Sequence, residues 1–235
     1  NKNIVDFLGK PIIAYALEAA AQSKLFDKIH VSTESDIIKS VVEDLGYKID
    51  FKRPKEMADH STSIVAVLKW VLKRYEQEGL KFEDICCIMP AAPLLEADDL
   101  IKAYEIYQRN EKRYPLLVAS KMPVPVEWAF RRDEKGILNP VSFEALKLRS
   151  QDLEKAYYEA GPFSYFHSSY LLNDHGSASG QFISYLIPPS RAIDIDDEED
   201  LQLARTLYLG GLAQKKVEIP AISGGWMRDV KERHH

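Results

Sequence analysis

Cysteine is almost absent from this 235-residue chain: there are two, adjacent as Cys86-Cys87 inside an apolar run. That pattern excludes a disulfide framework and a spaced thiolate metal site, and a reducing compartment is the natural inference. Long apolar stretches are missing too. None approaches the ~20 residues that a membrane span needs, and the polar start Asn1-Lys2-Asn3 does not read as a signal peptide. Positive charge is not in excess either. The 31 Lys and Arg stand against 36 Asp and Glu, a net charge of −5, so the basic field of a nucleic-acid surface is lacking. These absences predict a soluble cytoplasmic protein that engages neither nucleic acid nor membrane, and whose partner is a small molecule or another protein.

The 46% of residues that are hydrophobic suffice for one sizeable core, and α/β domains of this length are commonly single units. The spacing of those residues predicts a repeated strand-then-helix rhythm. A helical pattern of Ile12, Ile13, Tyr15, Ala16, Ala19 and Ala20 starts at Pro11, where a missing N–H costs nothing, and ends near Ser23. Residues 28–33 read as a strand, followed by a helix that Ser35-Asp36 caps and Gly46 stops. Residues 47–51 read as the next strand, and Ser61-Thr62-Ser63 precedes a helix carrying Ile64, Val67, Leu68, Val71, Leu72 and Tyr75. Residues 85–89 are continuously apolar, as in a strand buried on both faces, and Pro90-Ala91-Ala92-Pro93 breaks them. A helix after Asp98-Asp99 and a buried strand at 116–120 complete four units. They predict an α/β domain over residues 1–209, with a mostly parallel sheet, helices on both faces, and ligands beyond the carboxyl ends of the strands.

Residues 122–160 interrupt that rhythm with three prolines, Trp128 and the turn Asp133-Glu134-Lys135-Gly136. This segment reads as an insertion, a hairpin plus a helix, that packs on a partner subunit or covers a pocket. Residues 182–187 and 192–196 are read as the last strands, followed by a helix that Gly210-Gly211 ends. The tail 210–235 carries no assignable motif.

The chemistry is anchored in Arg191-Ala192-Ile193-Asp194-Ile195-Asp196-Asp197-Glu198-Glu199-Asp200. On a strand, Ile193 and Ile195 would face the core while Asp194 and Asp196 share the other face, roughly 7 Å apart. Two such carboxylates can hold Mg²⁺, which usually takes one or two carboxylates and completes its shell with substrate phosphates and water. The same residues also read as a helix start, with Asp196 and Glu199 complementing the helix dipole. The two readings are compatible.

Lys2-Asn3-Ile4, Val31-Ser32-Thr33-Glu34, Arg53-Pro54, Asp59 with Ser63, Pro90-Ala91-Ala92-Pro93-Leu94 and Ile193-Asp194-Ile195-Asp196 occur in one order. That order resembles the cytidylyltransferases that activate nine-carbon acidic sugars, over nearly everything from Asn1 to Leu209. Residues 149–154 and 157–161 look most like the pseudaminate branch of that family. The resemblance implies a Rossmann-like nucleotidyltransferase fold, a homodimer, and a Mg²⁺-dependent reaction in which CTP and a 2-keto sugar acid give a CMP-sugar and pyrophosphate. By position it implies Lys2 and Asn3 at the nucleotide loop, Arg53, Ser63 and Pro90 around the nucleotide, and Asp194 and Asp196 on the metal. Lys2, Asp194 and Asp196 would be catalytic, and Arg149, Tyr158 and Gly161 would meet the sugar.

The plainer readings stand beside these. Lys2 can be surface charge, Arg53 a solvated strand end, Ser63 a helix N-cap and Arg149 a subunit contact. Departures from the family pattern concern the sugar: Met89 stands where sialate enzymes carry glutamine, Ala91-Ala92 replaces a more hydroxylated pair, and Gly161-Pro162 replaces a glycine-glutamine pair. The family's glycine-rich triphosphate loop would precede Lys2, so residues before Asn1 are expected; without that loop, nucleotide binding would be poor. Relatives acting on N-acetylneuraminate, legionaminate or 3-deoxy-octulosonate, or a non-catalytic nucleotide-sugar-binding relative, are the alternatives.

Overall fold

The computed structural model describes residues 2–59, 61–173 and 180–216. The chain opens with a 3₁₀ turn, Lys2–Ile4, and a tight hairpin of β1 (Asp6–Phe7) and β2 (Lys10–Pro11). Leu8 and Gly9 at its tip both have positive φ, 52° and 93°, as a two-residue hairpin loop requires. Pro11 therefore belongs to the hairpin rather than to the first turn of α1 (Ile13–Ser23). Nearly every side of α1 is buried, through Ile13, Ala14, Tyr15, Ala16, Leu17, Ala19 and Ala20. Ser35 caps α2 (Asp36–Asp44) by accepting the Ile38 N–H, and Gly46 at φ 88° follows it. Ser63 caps α3 (Ile64–Gln77) in the same way.

Residues 28–33 and 47–51 do not form the expected strands: they carry no ladder hydrogen bonds. Ile29, Val31, Tyr47 and Ile49 pack with Ile13, Leu17 and Val42, and Arg53 N–H donates to the Thr33 carbonyl at 2.9 Å. Apolar spacing reports which residues are buried, and says nothing of whether a ladder partner lies alongside.

The sheet begins with β3 (Asp84–Ile88), followed by α4 (Ala97–Arg109) and β4 (Leu116–Lys121). The excursion after β4 holds a short hairpin, β5 (Phe130–Arg132) with β6 (Leu138–Pro140). In place of the expected helix it has three 3₁₀ turns, at Val126–Trp128, Ala145–Lys147 and Ser150–Asp152. The chain re-enters the sheet as β7 (Tyr157–His167), then forms α5 (Ser168–Leu172), β8 (Ile183–Leu186) and α6 (Glu198–Lys216).

The strand order is β3-β7-β4-β8, and the sheet is mixed rather than mostly parallel. β4 and β8 are parallel, whereas β7 runs antiparallel to both of its neighbours. The excursion leaves from the carboxyl end of β4 and comes back at that same end, so the returning strand must point the other way. The buried face of the sheet sets Leu116, Val118, Phe163, Tyr165 and Ile183 against Leu100, Ala103 and Tyr107 of α4. Residues 192–196 form no strand either. α6 runs through Gly210 and Gly211 instead of stopping there, because neither adopts the positive φ of a helix stop; keeping them helical costs about 1 kcal/mol each relative to alanine.

Candidate active site

β3, β4 and β8 point the same way, so their carboxyl ends and the amino end of β7 share one edge. Pro90 follows β3 there, Ser120 and Lys121 pair with Tyr158 and Tyr157, and β8 leads into the 3₁₀ turn Pro189–Arg191. Gly161, at φ +69°, sits where β7 bulges between the Leu117–Ser164 and Ala119–Glu159 pairs. A side chain at that φ would be strained. On the other side of β7 the Pro162 carbonyl accepts the Met89 N–H at 2.9 Å, continuing the regular β3 register past Ile88–Phe163. Pro162 lines a small cleft with Ala92, Pro93, Leu95, Arg191, Ile193 and Ile195.

Residues 192–197 cross this edge without ladder bonds, yet the alternation survives. Ile195 is 4% exposed and packs with Phe7, Ile12 and Tyr15, with Ile193 against the same cluster, while Asp194 and Asp196 are exposed. The cap of α6 is made by Asp197 and Asp200, not by Asp196 and Glu199. Asp197 Oδ1 accepts the Asp200 N–H at 2.9 Å, and Asp200 Oδ2 accepts the N–H groups of Asp196 and Asp197 at 3.0 and 3.2 Å. The Asp196 carboxylate is thus left out of the cap. It is met by Lys2, whose Nζ donates to Asp196 Oδ1 at 2.9 Å and to the Ile195 carbonyl at 3.0 Å. Asn3 is partly buried in the same 3₁₀ turn.

The remaining candidates are engaged locally. Arg53 Nη2 donates to Glu34 Oε2 at 2.8 Å, which holds the Glu34 carboxyl below its ordinary range, while Arg53 Nε is buried without a partner. Ser63 Oγ accepts the Ala66 N–H at 3.2 Å, the N-cap of the plainer reading, and its own O–H remains a donor. Arg149 is exposed and forks onto Asp152 at 2.8 and 3.2 Å, lowering the Asp152 pKa by hydrogen bond and charge. No side-chain hydrogen bond among the described residues joins Arg53, Ser63 or Arg149 to Lys2 or Asp196.

Among the described residues no group of three or more His, Cys, Asp or Glu side chains could enclose a metal. Asp194 and Asp196 instead offer exposed hard oxygen donors, an open set that fits Mg²⁺ bound largely through water and phosphate.

One part of this edge escaped the sequence. Asp99, 4% exposed, receives Tyr185 Oη–H on Oδ1 at 2.9 Å, and on Oδ2 both Arg191 Nη1 at 2.5 Å and the Glu96 N–H at 3.1 Å. Glu96 Oε2 lies 3.4 Å from the same Arg191 nitrogen. Burial and the Asp99 bond raise the Tyr185 pKa. Arg191 and Asp99 are each visible as charges flanking motifs, but their pairing across 92 positions has no local signature.

The chain belongs to the cytidylyltransferase family, whose model matches residues 1–182, and is thus a nucleotidyltransferase. It is 33% identical over 207 residues to the pseudaminic acid cytidylyltransferase of Campylobacter jejuni subsp. jejuni serotype O:2, covering 88% of this chain and 89% of that one. It is 26% identical over 208 residues to the N-acylneuraminate cytidylyltransferase of Escherichia coli O18:K1:H7, covering 88% of this chain and 48% of that one. Among solved structures it is similar to CMP:2-keto-3-deoxy-manno-octonic acid synthetase complexed with CTP, with a TM-score of 0.64 at 14% identity over 89% of this chain and 92% of that one. A second is 4-diphosphocytidyl-2C-methyl-D-erythritol synthase from Anaerococcus prevotii, with a TM-score of 0.57 at 15% identity over 89% and 93%. At such identities the likeness speaks for the fold: α/β and Rossmann-like.

Proposed function

We propose that this protein transfers CMP from CTP to the anomeric hydroxyl of a nine-carbon 2-keto sugar acid, pseudaminic acid being preferred, and releases pyrophosphate. The observation that carries this reading is the 33% identity, along 88% of the chain, to a pseudaminic acid cytidylyltransferase. In the reaction the sugar's anomeric oxygen bonds to the α-phosphorus. The α–β phosphoanhydride bond breaks with its electron pair leaving on pyrophosphate, and the hydroxyl proton passes to solvent.

Asp194 and Asp196 are the residues that would hold Mg²⁺. When bound, the ion supplies charge neutralisation on the phosphate oxygens and a lower pKa for the attacking hydroxyl. Lys2 adds a mobile ammonium: a phosphate oxygen can replace Asp196 as its acceptor, moving positive charge onto the triphosphate as bond breaking proceeds. Asn3 and Pro90 would border the nucleotide. Ser63 can keep its cap on α3 and still donate its O–H to a base-edge acceptor, while Arg53 brings a guanidinium already oriented by Glu34. Tyr158 and Gly161 are proposed at the sugar, with Arg149 exchanging Asp152 for the sugar carboxylate.

We also propose a cytoplasmic homodimer. Both cysteines are free, as in a reducing compartment. The excursion after β4 exposes Phe130, Ile137, Leu138, Val141 and Phe143, each at 46–65%, an apolar set that a second copy would cover. A second reading, an N-acylneuraminate such as N-acetylneuraminate as the sugar, is supported by the E. coli relative. The deciding experiment offers the full-length protein CTP, Mg²⁺ and a panel of nonulosonic acids, and identifies the CMP-sugar and pyrophosphate by mass. No CMP-sugar from any acid would overturn the proposal.

A further inference from the structure

Asp194 and Asp196 lie on a segment with no strand to hold it. Residues 192–197 make no ladder bonds, so their position depends on what grips the two ends and the middle. At the far end is the Asp197–Asp200 cap of α6. In the middle are the packing of Ile193 and Ile195 and the Lys2 bond to the Ile195 carbonyl. The near end begins at Arg191, the last residue of a 3₁₀ turn, and there the grip is ionic. Asp99 is buried, with both oxygens engaged by Arg191, Tyr185 and the Glu96 N–H. Asp99 and Glu96 form the capping box of α4, the helix into which the Pro90 turn feeds. Glu96 reaches Arg191 at 3.4 Å and is itself held by Lys215 of α6.

We infer that Arg191 is a positioning residue: through Asp99, it fixes the segment carrying Asp194 and Asp196 relative to the Pro90 turn. This inference rests on the cytidylyl-transfer reading of that site. Both carboxylates are met by a single guanidinium nitrogen, Nη1; a lysine would keep the charge, but as a rotatable point charge on a flexible stem it loses the fixed direction of the planar group. Groups that orient metal-binding side chains typically change affinity or activity 10–100-fold when altered.

The test uses Arg191→Lys, which keeps the partly buried charge, with Tyr185→Phe as a milder variant that removes one hydrogen bond from Asp99. Thermal melts establish folding. Expected for Arg191→Lys is a rise of at least ~10-fold in the Mg²⁺ concentration giving half-maximal CMP-sugar formation, with KM for CTP changed less than ~3-fold. Amide hydrogen exchange, which needs neither metal nor turnover, should quicken in residues 192–197 and stay unchanged in β3 and β4. Tyr185→Phe should shift both readouts the same way by less, and it carries the test should Arg191→Lys not fold. A lowered melting temperature with unchanged Mg²⁺ requirement and unchanged exchange in 192–197 would reduce Arg191 to a plain structural tie and overturn the inference. Failure of the unaltered protein to form any CMP-sugar would overturn the functional reading instead, and the exchange measurement keeps the two failures apart.

Discussion

Lys2 Nζ stands 2.9 Å from Asp196 Oδ1, though 194 positions separate the two residues. A cation on the first turn of the chain and a carboxylate just before the last helix are thus held at one point. Both are more than half exposed, so the bond itself adds at most a fraction of a kcal/mol to stability. Its interest is chemical: the carboxylate that would take a metal is already spoken for by a cation that would take a phosphate.

Asp194→Asn and Asp196→Asn each remove a charge from that point at constant side-chain volume. We expect at least ~100-fold loss of Mg²⁺-dependent turnover, about 2.7 kcal/mol in the barrier, with the melting temperature within a few degrees of the parent, since neither carboxylate caps α6. Near-normal rates for both variants at limiting Mg²⁺ would return the acidic run to the role of a helix start.

A second prediction concerns acid stability. Burial pushes the His30 imidazole down to about 4, against a partial opposing pull from Asp50. Tyr75 Oη–H donates to Asp50 at 2.8 Å, so His30 Nδ1–H, 3.0 Å from the same oxygen, serves as the donor there. The neutral ring then leaves Nε2 bare, and that nitrogen is buried without a partner. The unfolded imidazole takes its proton near pH 6.5 and the folded one only near 4. As pH falls through that window the unfolded chain is the one that gains, and up to about 3 kcal/mol of stability is lost. His30→Phe, which keeps the ring against Phe51, should flatten this part of the urea-derived stability profile between pH 7 and 4.5. Parallel profiles for parent and variant would remove His30 from the account.

Much of this was legible beforehand, and the reasons differ by element. Ser35, Ser63 and Gly46 announced helix ends because capping is a local interaction whose partners lie within four residues. The alternation Ile193, Asp194, Ile195, Asp196 reported which residues are buried, and it did so correctly without a strand existing there. It does not report ladders, which is why residues 28–33, 47–51 and 192–196 carry the pattern of strands without forming them. The direction of β7 depends on where a long excursion rejoins the sheet, and the Arg191–Asp99 bond on which ends of the chain meet. Neither is encoded in any short window.

The excursion after β4 should hold two copies together. Phe143 is 65% exposed and Ile137 57%, which a lone monomer gains nothing by displaying. Light scattering is expected to give the mass of a dimer at micromolar concentration, and Ile137→Glu with Phe143→Glu to give a monomer, since charges would then be buried without partners. A parent protein already monomeric at that concentration would refute the arrangement.

The sugar preference is the most demanding prediction, because the segment that would impose it is the one most tied up with itself. Arg149 is forked onto Asp152, so a sugar carboxylate must displace a carboxylate that is already bidentate, an exchange close to neutral in charge terms. Discrimination must then come from the substituents on the long arm of the sugar. Tyr158 lies half-buried on β7 opposite Ser120, three residues before the positive-φ Gly161, a combination suited to acylamino groups, whereas Ala160 is packed into the core with Leu100, Tyr107 and Phe163 and is not available to the sugar. A diacylamino acid fills such a surface better than one with a single N-acetyl. We expect kcat/KM for pseudaminate to exceed that for N-acetylneuraminate by at least ~10-fold, about 1.4 kcal/mol in transition-state binding. Tyr158→Ala should shrink that ratio toward one, and Arg149→Lys should lower both rates together. Equal kcat/KM for the two sugars in the unaltered protein would sink the pseudaminate preference and leave the cytidylyltransferase family standing.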